Sequence, residues 1–471
     1  MQRRGDWRGV IRLAVAFLIA ALSAPGLCAA GWRHAIVGKG GFSSIAVGPD
    51  GKVHYLYATR PAANTVDLFH LTISRAGHVL AKEQLMPPAG GASFNGASAI
   101  AVDSADHLQL VFPTQLGLEY GFFDGSAWSY QAIPFQCLNG DLFPNLIIDA
   151  ANHPIVVCGF GPIDLLTFDG TTWTSSTVPN VNDASNATAA IANNGTIDIG
   201  YINELETITA AIGSGDTWTI SSSGETGFTN FEHFGPTTAL DSQNLPGIAC
   251  AAEKGALVYA HFDGGMWSNE TINSSVLDYS NLVFAPGDVA SLIILTVGRG
   301  DLTDISFAQR TANGWTLEQI GSAPGFTAFP RIAVDRVGIP FGGLQAAMGE
   351  DAVYAFLEEP AVSIGSLQLT SASRKGTTIL SGNLQLTNQG TGAGGQFKLS
   401  YFLSADAQLS GATLLGTRLE SAPAVGQARA VRFKFSSPAS LGGMFLIASI
   451  TAVSSPSIVV NGVTSAAIPT D

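Results

Sequence analysis

The chain has 471 residues, of which 22 are Lys or Arg and 36 are Asp or Glu, and its formal net charge at pH 7 is −14. This acidic balance argues against nucleic acid or an anionic membrane surface as a partner, because contacts with phosphate need clustered Lys and Arg. Only 12% of the residues are charged, while Gly, Ser, Thr and Asn abound. That composition is more typical of a turn-rich β protein than of a helical one.

Residues 1–30 have the pattern of an export signal peptide. Four arginines between positions 3 and 12 precede an almost wholly apolar run at 13–22, and small residues at 28–30 offer a cleavage site before Gly31. The apolar run is shorter than the roughly 20 residues of a membrane span. Cys28 raises lipid anchoring as the alternative, although the residues before it depart from a lipobox. We expect a secreted, periplasmic or cell-surface protein with no integral membrane segment once the signal is removed.

One phrase then recurs five times at a spacing of 45 to 49 residues. Its instances centre on Trp128 in FDGSAWSYQAI, Trp173, Trp218, Trp267 and Trp315. Self-similarity at this period indicates a propeller or a solenoid. The tryptophans are therefore expected to be largely buried core residues.

A second repeated feature is a short apolar run. Four residues after the end of each run stands a Gly, Asn or Asp. These residue types tolerate a left-handed backbone, so each instance predicts a tight turn between antiparallel strands. The seven instances end at Gly51, Asp106, Asn152, Gly195, Asn244, Asp288 and Gly338.

Each repeat thus predicts four short strands, which is the number of strands in a propeller blade. The first repeat has His78 where the others have Trp, and the seventh lacks a fourth strand near residue 360. The isolated GWRHAIV at 31–37 supplies the missing strand and would close the ring without an open edge. We predict an all-β protein with a seven-bladed propeller over 31–360, closed by the N-terminal strand; six blades is the alternative.

The phrase D-G-x-x-W resembles the Asp-box of sialidase-like propellers, S-x-D-x-G-x-x-W, and SGDTW at 214–218 is the closest piece. The spacing differs by one residue in most copies. In that family the Asp-box is a structural turn away from the active face. The resemblance implies that Asp and Trp of the phrase here are turn and core residues.

Residues 361–471 lack the repeat and alternate apolar with polar residues, which predicts a β-sandwich. The segment resembles the CARDB family, an immunoglobulin-like domain of bacterial surface and secreted proteins. Asn388-Gln389-Gly390, YFLSAD at 401–406 and Leu415-Gly416 carry the resemblance. It implies an adhesive or spacer module without catalysis.

Three cysteines follow the signal peptide, so at least one is unpaired in an oxidising compartment. Cys158 and Cys250 occupy matching strands of two repeats, flanked by apolar residues. Buried thiols are the preferred interpretation of Cys137, Cys158 and Cys250, ahead of a disulfide or a metal site.

The turns between second and third strands share one face of the predicted ring with the connections between blades. These loops are the longer ones, and long loops carry function more often than tight turns. We predict a ligand site on this face, with candidate contacts at Arg60, Glu204, Glu232, His233, Arg299 and Glu350.

The preferred function is a non-enzymatic bacterial binding or adhesion protein whose propeller face takes a glycan or an extracellular protein. The alternatives are a sialidase-like glycoside hydrolase or polysaccharide lyase, and a purely structural envelope component. Sialidase chemistry needs three converging Arg, and these loops offer two; Glu204 or Glu206 with Glu350 is the pair suited to glycoside hydrolysis. No metal site or cofactor is predicted, and the sequence does not give the oligomeric state.

Overall fold

The computed structural model describes most of the chain after residue 30. The described ranges are 31–62, 65–75, 77–85, 98–114, 116–135, 137, 144–227, 235–252, 255–324, 328–336, 338–346, 351–357, 361–374, 376–389, 396–424, 426–437, 441–452, 459–461 and 463–469. Within them every regular element is a β-strand. The predicted all-β class is confirmed.

Seven antiparallel sheets, each with four main strands, follow one another along the chain as propeller blades. The first blade consists of β2 (Gly41–Val47), β3 (Val53–Ala62), β4 (Thr65–Ile73) and β5 (Val79–Leu85). The second consists of β6 (Ala99–Val102), β7 (Leu108–Thr114), β8 (Gly117–Phe123) and β9 (Trp128–Ala132). The third consists of β10 (Asn145–Ile148), β11 (Pro154–Cys158), β12 (Asp164–Phe168) and β13 (Trp173–Thr177). The fourth consists of β14 (Ser185–Ile191), β15 (Ile197–Ile202), β16 (Thr207–Ser214) and β17 (Thr217–Thr226). The fifth consists of β18 (Thr237–Leu240), β19 (Pro246–Ala251), β20 (Leu257–Phe262) and β21 (Trp267–Asn273).

The last two blades depart from this scheme in different ways. The sixth has a divided first strand, β22 (Asp278–Tyr279) and β23 (Val283–Ala285), followed by β24 (Val289–Val297), β25 (Leu302–Thr311) and β26 (Gly314–Pro324). The seventh has β27 (Ala328–Val334), β28 (Pro340–Ala346) and β29 (Asp351–Leu357), and its fourth strand is β1 (Trp32–Gly38). The N-terminal strand therefore completes the last blade, as predicted.

The first strands of the blades contact one another in sequence around a closed ring, from β2 to β27 and back to β2. Polar side chains directly before the apolar run join neighbouring blades. Ser44 Oγ accepts a hydrogen bond from Ile100 N at 3.2 Å, and Asn145 Oδ1 accepts one from Ala189 N at 3.0 Å. The seven-bladed ring is thus confirmed by both its sheets and its closure.

All seven predicted tight turns have the left-handed residue at the expected position, with φ between 60° and 93°. In the second blade, Asp103 Oδ1 accepts hydrogen bonds from Ala105 N and His107 N, both at 2.9 Å, which fixes the turn. The left-handed residue also serves the preceding blade: Asn152 Oδ1 accepts hydrogen bonds from Ser104 N and Oγ at 3.1 and 2.9 Å. Asn and Asp at these positions therefore satisfy the backbone and link the blades.

The repeated tryptophans lie between the outer strands of neighbouring blades and are half-buried, less buried than predicted. Trp128 Nε1 donates to Glu83 Oε1 of the first blade at 3.0 Å, and Trp267 Nε1 donates to Ser221 Oγ of the fourth blade at 2.9 Å. The acceptor in each case lies on the fourth strand of the preceding blade. These two tryptophans therefore join blades, whereas Trp218 Nε1 donates to Gly215 O within its own blade at 2.7 Å.

The turn before each Asp-Gly tryptophan strand is built as the Asp-box resemblance implies. Asp124 Oδ1 accepts hydrogen bonds from Ser126 N and Ala127 N at 2.8 and 2.9 Å, and Gly125 is left-handed with φ of 91°. The hydrogen bond from Ser126 Oγ and those from the two amides hold the pKa of Asp124 down, at about 2. These aspartates are structural turn residues.

An ion pair joins the first and seventh blades at the seam of the ring. Arg75 Nη2 lies 3.0 Å from Asp335 Oδ2, and the Asp335 side chain is only 1% exposed. Asp335 Oδ1 also accepts a hydrogen bond from Ile339 N at 2.9 Å within its own turn. The buried carboxylate of Asp335 therefore stabilises both its own turn and the contact that closes the ring of blades.

The preferred interpretation of the cysteines is wrong for two of the three. Cys137 and Cys158 form a disulfide, with their Cα atoms 5.3 Å apart. Cys137 follows β9, and Cys158 belongs to β11 of the next blade. The matching strand positions of Cys158 and Cys250 gave no sign of this pairing. Cys250 is buried and keeps its thiol, as predicted.

The C-terminal unit is a β-sandwich of two four-stranded sheets. One sheet has the order β34–β31–β30–β36, with β30 (Ala361–Arg374), β31 (Thr377–Asn388), β34 (Ala428–Ser437) and β36 (Val459–Asn461). The other has the order β33–β32–β35–β37, with β32 (Gln396–Ser404), β33 (Thr413–Ser421), β35 (Phe445–Ala452) and β37 (Val463–Ala467). Leu384, Phe397 and Leu446 are fully buried between them. The sandwich prediction is confirmed, and membership of the CARDB family stays a prediction.

Candidate functional site

The structure locates only part of the site predicted on the long-loop face of the propeller. Glu204 is exposed in the turn between β15 and β16, and Arg299 is exposed in the turn between β24 and β25. These turns belong to the fourth and sixth blades, and no hydrogen bond or ion pair joins the two side chains. Arg60 lies in β3, but its side chain is outside the described part of the chain, as are Glu232, His233 and Glu350. This site stays a prediction.

Glu206, the other half of the suggested carboxylate pair, has a structural role in its backbone. Its φ is 57°, and its amide donates to Asn203 O at 2.9 Å. Its carbonyl accepts a hydrogen bond from Gly227 N at 2.7 Å. The residue closes the β15–β16 turn, whatever its exposed side chain contributes.

Buried polar groups of the first blade form a chain of hydrogen bonds that ends on the second blade. His54 Nδ1 lies 3.0 Å from His70 Nε2, and His70 Nδ1 lies 2.7 Å from Glu83 Oε1. Glu83 in turn accepts the hydrogen bond from Trp128 described above. Burial first, and then the neighbouring His70, lower the pKa of His54 to about 4, so its imidazole is neutral at pH 7. The chain is a structural link between blades.

The sandwich contains a cavity of about 830 Å³, within the usual range of small-ligand sites. Strands β30, β31 and β34 line it from one sheet, and β32 and β33 line it from the other. Its polar lining residues are Gln368, Thr370, Ser381, Asn383, Thr417, Arg418, Arg432 and Lys434. The remaining lining residues are Leu369, Gly382, Tyr401, Gly416, Phe433 and Phe435.

Three aromatic rings meet at this cavity. The ring centroids of Phe433 and Phe435 both lie 5.1 Å from that of Tyr401, and they lie 6.0 Å from each other. Two glycines leave room beside them: a Cβ on Gly382 would lie 2.8 Å from Phe433 Cζ, and one on Gly416 would lie 3.3 Å from Phe435 Cε1. The cavity therefore depends on small residues opposite large rings.

The hydroxyl of Tyr401 is buried, and none of the described residues forms a hydrogen bond with it. The side chain as a whole is only 2% exposed. Burial raises the pKa of the phenol to about 12, so it carries its proton at neutral pH. A buried donor without a partner is costly, which makes Tyr401 a group that a ligand in the cavity would satisfy.

Arg418 places a charged group at this cavity. Glu420 is shared between two arginines: its Oε1 lies 2.8 Å from Arg418 Nε, and its Oε2 lies 2.8 Å from Arg429 Nη2. Arg432 and Lys434 alternate along β34 with the buried Val431 and Phe433, so their exposed side chains point to the outer face of that sheet, away from Tyr401. Sequence reasoning missed this site because it forms where two sheets pack together, whereas alternation in a strand predicts only which residues share a side.

The described residues offer neither a candidate metal site nor a candidate membrane-spanning helix. No group of three or more His, Cys, Asp or Glu side chains there is arranged to hold a metal ion. Nor do those residues include a helix with the length and apolar character needed to cross a membrane.

No protein-family model matches the chain. No curated protein matches it either. Among solved structures, it is similar to AofleA from Arthrobotrys oligospora, with 10% identity and a TM-score of 0.43 over 63% of this chain and 94% of that one. The fucose-specific lectin from Aleuria aurantia has 13% identity and a TM-score of 0.39, over 64% of this chain and 100% of that one.

A Hadza microbial sialidase is similar at 14% identity and a TM-score of 0.37, over 69% of this chain and 66% of that one. At TM-scores this low, these similarities carry no argument about the site or the ligand.

Proposed function

We propose that this chain is an exported, non-enzymatic protein that binds a glycan in the cavity of its C-terminal sandwich. The observation that carries the proposal is the unbonded hydroxyl of Tyr401, which is buried beside Phe433 and Phe435 at a cavity of about 830 Å³. The propeller would be a rigid ring in the same chain. The propeller loops around Glu204 and Arg299 remain the competing location for the same activity.

The chemistry of the cavity suits a saccharide. A sugar ring has apolar C–H faces and an edge of hydroxyl groups, and it therefore needs an aromatic surface next to hydrogen-bonding groups. Tyr401, Phe433 and Phe435 supply the rings. Arg418 supplies guanidinium donors, and it lies opposite the core residue Leu399 of β32, on the same side of that sheet as Tyr401.

Two observations support export. The first 30 residues have the pattern of a signal peptide, and the Cys137–Cys158 disulfide is of the kind that persists in oxidising compartments. A secreted, periplasmic or surface location would expose the cavity to extracellular glycans.

The proposal is tested by screening the purified chain on a glycan array and measuring the affinity of each hit by calorimetry. Tyr401→Phe removes one hydroxyl and leaves the ring in place. It should weaken binding roughly three- to tenfold, the effect of one neutral hydrogen bond. Tyr57→Phe is the matched control, because Tyr57 is also buried with an unbonded hydroxyl but lies in the propeller.

Binding that is insensitive to Tyr401→Phe but lost in Glu204→Ala or Arg299→Ala would move the site to the long-loop face. An array without hits would refute glycan binding. Turnover of a chromogenic glycoside would favour the sialidase-like alternative.

A further inference from the structure

We propose that two copies of this chain associate through the free edge of β33 in the sandwich, in an antiparallel pairing with its two-fold axis at Leu419. This goes beyond the proposed function, because it concerns association of the chain with itself. Its basis is a comparison of the four edge strands of the sandwich. An edge strand presents unpaired N–H and C=O groups on one side, and it pairs with another strand unless its length, charge or surroundings prevent this.

Three of the four edge strands have features that disfavour such pairing. The outermost strands of the two sheets are β33, β34, β36 and β37. Of these, β36 has three residues and β37 has five, and β37 also lies next to β30 of the other sheet. Short edge strands offer few backbone groups to a partner. On β34, Arg432 and Lys434 point to the outer face, and charged side chains on an edge oppose pairing with a second strand.

The edge of β33 lacks these features. The strand has nine residues, of which six are exposed and none is buried. A bulge at Leu415 interrupts its pairing with β32, so residues 416–421 form its regular part. In that part every second residue directs its N–H and C=O groups away from β32. Among the described residues Arg429 alone binds this edge, with its Nη2 2.6 Å from Ser421 O.

The charged residues of β33 do not shield its edge. Arg418 and Glu420 lie opposite the core residues Leu399 and Phe397, so both side chains point to the inner side of the sheet. There they form an ion pair, with Arg418 Nε 2.8 Å from Glu420 Oε1. The outer side of the regular part carries the uncharged residues Thr417, Leu419 and Ser421.

The order of residues along β33 favours a second copy of the same strand as the partner. Antiparallel pairing about Leu419 places Arg418 of each copy opposite Glu420 of the other, and opposite charges at such positions stabilise a strand pair. It also places the two Leu419 side chains, each 57% exposed in the single chain, against each other. Pairing about Arg418 would instead bring two arginines together. The contact is the same for both copies, so the assembly closes as a dimer.

The existing ion pairs are compatible with this contact. Glu420 binds Arg418 through Oε1 and Arg429 through Oε2. Each carboxylate oxygen has a further lone pair, so Glu420 can also accept from an arginine of the second copy.

Sedimentation of the full chain from about 1 to about 200 µM measures association by mass action, and we expect a reversible monomer–dimer equilibrium. Leu419→Lys places two like charges opposite each other at the axis and should weaken the dimer at least about tenfold. Val463→Lys is the matched control, because Val463 is 54% exposed on the edge strand β37. It should change the dissociation constant less than about twofold.

Two charge reversals test the register of the pairing. Arg418→Glu and Glu420→Arg each place like charges opposite each other on both sides of the axis, so each variant alone should be a monomer. An equimolar mixture of the two restores opposite charges at these positions and should dimerise again. Recovery in the mixture also shows that both variants are folded.

A wild-type chain that stays monomeric at about 200 µM would overturn the proposal. So would a dimer that Leu419→Lys leaves unchanged. A mixture of the two charge-reversal variants that stays monomeric, although circular dichroism shows both to be folded, would overturn the pairing of Arg418 with Glu420. If these variants do not fold, amide hydrogen exchange of the wild type decides: residues 416–421 should exchange more slowly at high concentration, and equal exchange at both concentrations would refute the contact.

Discussion

The turns of the propeller and the cavity of the sandwich differ in whether the fold satisfies their polar side chains. In the propeller, Asp103, Asn152 and Asp335 are engaged in turns or in links between blades. In the sandwich, the Tyr401 hydroxyl has no hydrogen-bond partner among the described residues. Polar groups whose hydrogen bonds and ion pairs are formed within the fold stabilise the turns and the links between blades. A polar group beside a cavity that lacks such partners indicates a place where a ligand can bind.

The largest effect is expected at the seam of the ring. Asp335→Ala removes the buried partner of Arg75 and one acceptor of the turn, and it should cost about 3–5 kcal/mol of unfolding free energy. Asp149→Ala is the matched control, because Asp149 has the same turn position in the third blade but is more exposed. It should cost about 1 kcal/mol.

Urea unfolding followed by tryptophan fluorescence measures both variants, since residues 361–471 contain no tryptophan and the signal reports the propeller. An equal loss of unfolding free energy in the two variants would show that the ion pair between Arg75 and Asp335 contributes nothing to closure of the ring.

A second test concerns a buried carboxyl group of the propeller that the fold leaves partly unsatisfied. Asp198 in β15 is 1% exposed, none of the described residues bonds its Oδ1, and burial raises its pKa to about 7. The folded state therefore binds a proton more tightly than the unfolded state, whose carboxyl has its ordinary pKa of 3.8. The contribution of this group to stability is greatest below pH 4 and decreases as the pH rises towards 7.

Asp198→Asn should remove this decrease, so the variant gains roughly 2–3 kcal/mol over the wild type at pH 8 and little at pH 4. The exposed turn residue of the same blade gives the control Asp216→Asn, which should have no such dependence. A pH-independent difference for Asp198→Asn would mean that Asp198 is solvated or bonded in the folded state.

The smallest effect is expected in the sandwich. Arg432→Gln and Lys434→Gln should leave the thermal transition of this unit within about 0.5 kcal/mol of the wild type, because neither side chain has an ion-pair partner to lose. Scanning calorimetry of the full chain measures this. A loss well above that value would give these residues a structural role and remove the contrast with the propeller.

The sequence predicted those features that depend on local chemistry. Left-handed turns need Gly, Asn or Asp, so Gly51, Asn152 and Asp288 marked their positions directly. The spacing of the tryptophans gave the blades, and the incomplete seventh repeat gave the closure by β1.

Features that depend on contacts between distant residues were not predictable in the same way. The partner of Trp128 is Glu83, on the preceding blade, and the partner of Cys158 is Cys137, in the connection between blades. In the sandwich, the meeting of Tyr401 with Phe433 follows from the packing of two sheets, whereas alternation in a strand predicts only which residues share a side. The predicted long-loop site is still untested, because most of its members lie outside the described part of the chain.

The closure of the last blade by β1 has a consequence for how the chain folds. Lys39 contacts Asp351 across 312 residues of sequence, which is among the longest separations possible in this ring. During synthesis from the N-terminus, β1 has no partner strand until the other six blades and β29 have been made. Such a high contact order is expected to slow the final step. A nascent chain interrupted before residue 351 would keep both an unpaired first strand and an unfinished blade, the kind of exposed edge on which chaperones and proteases act.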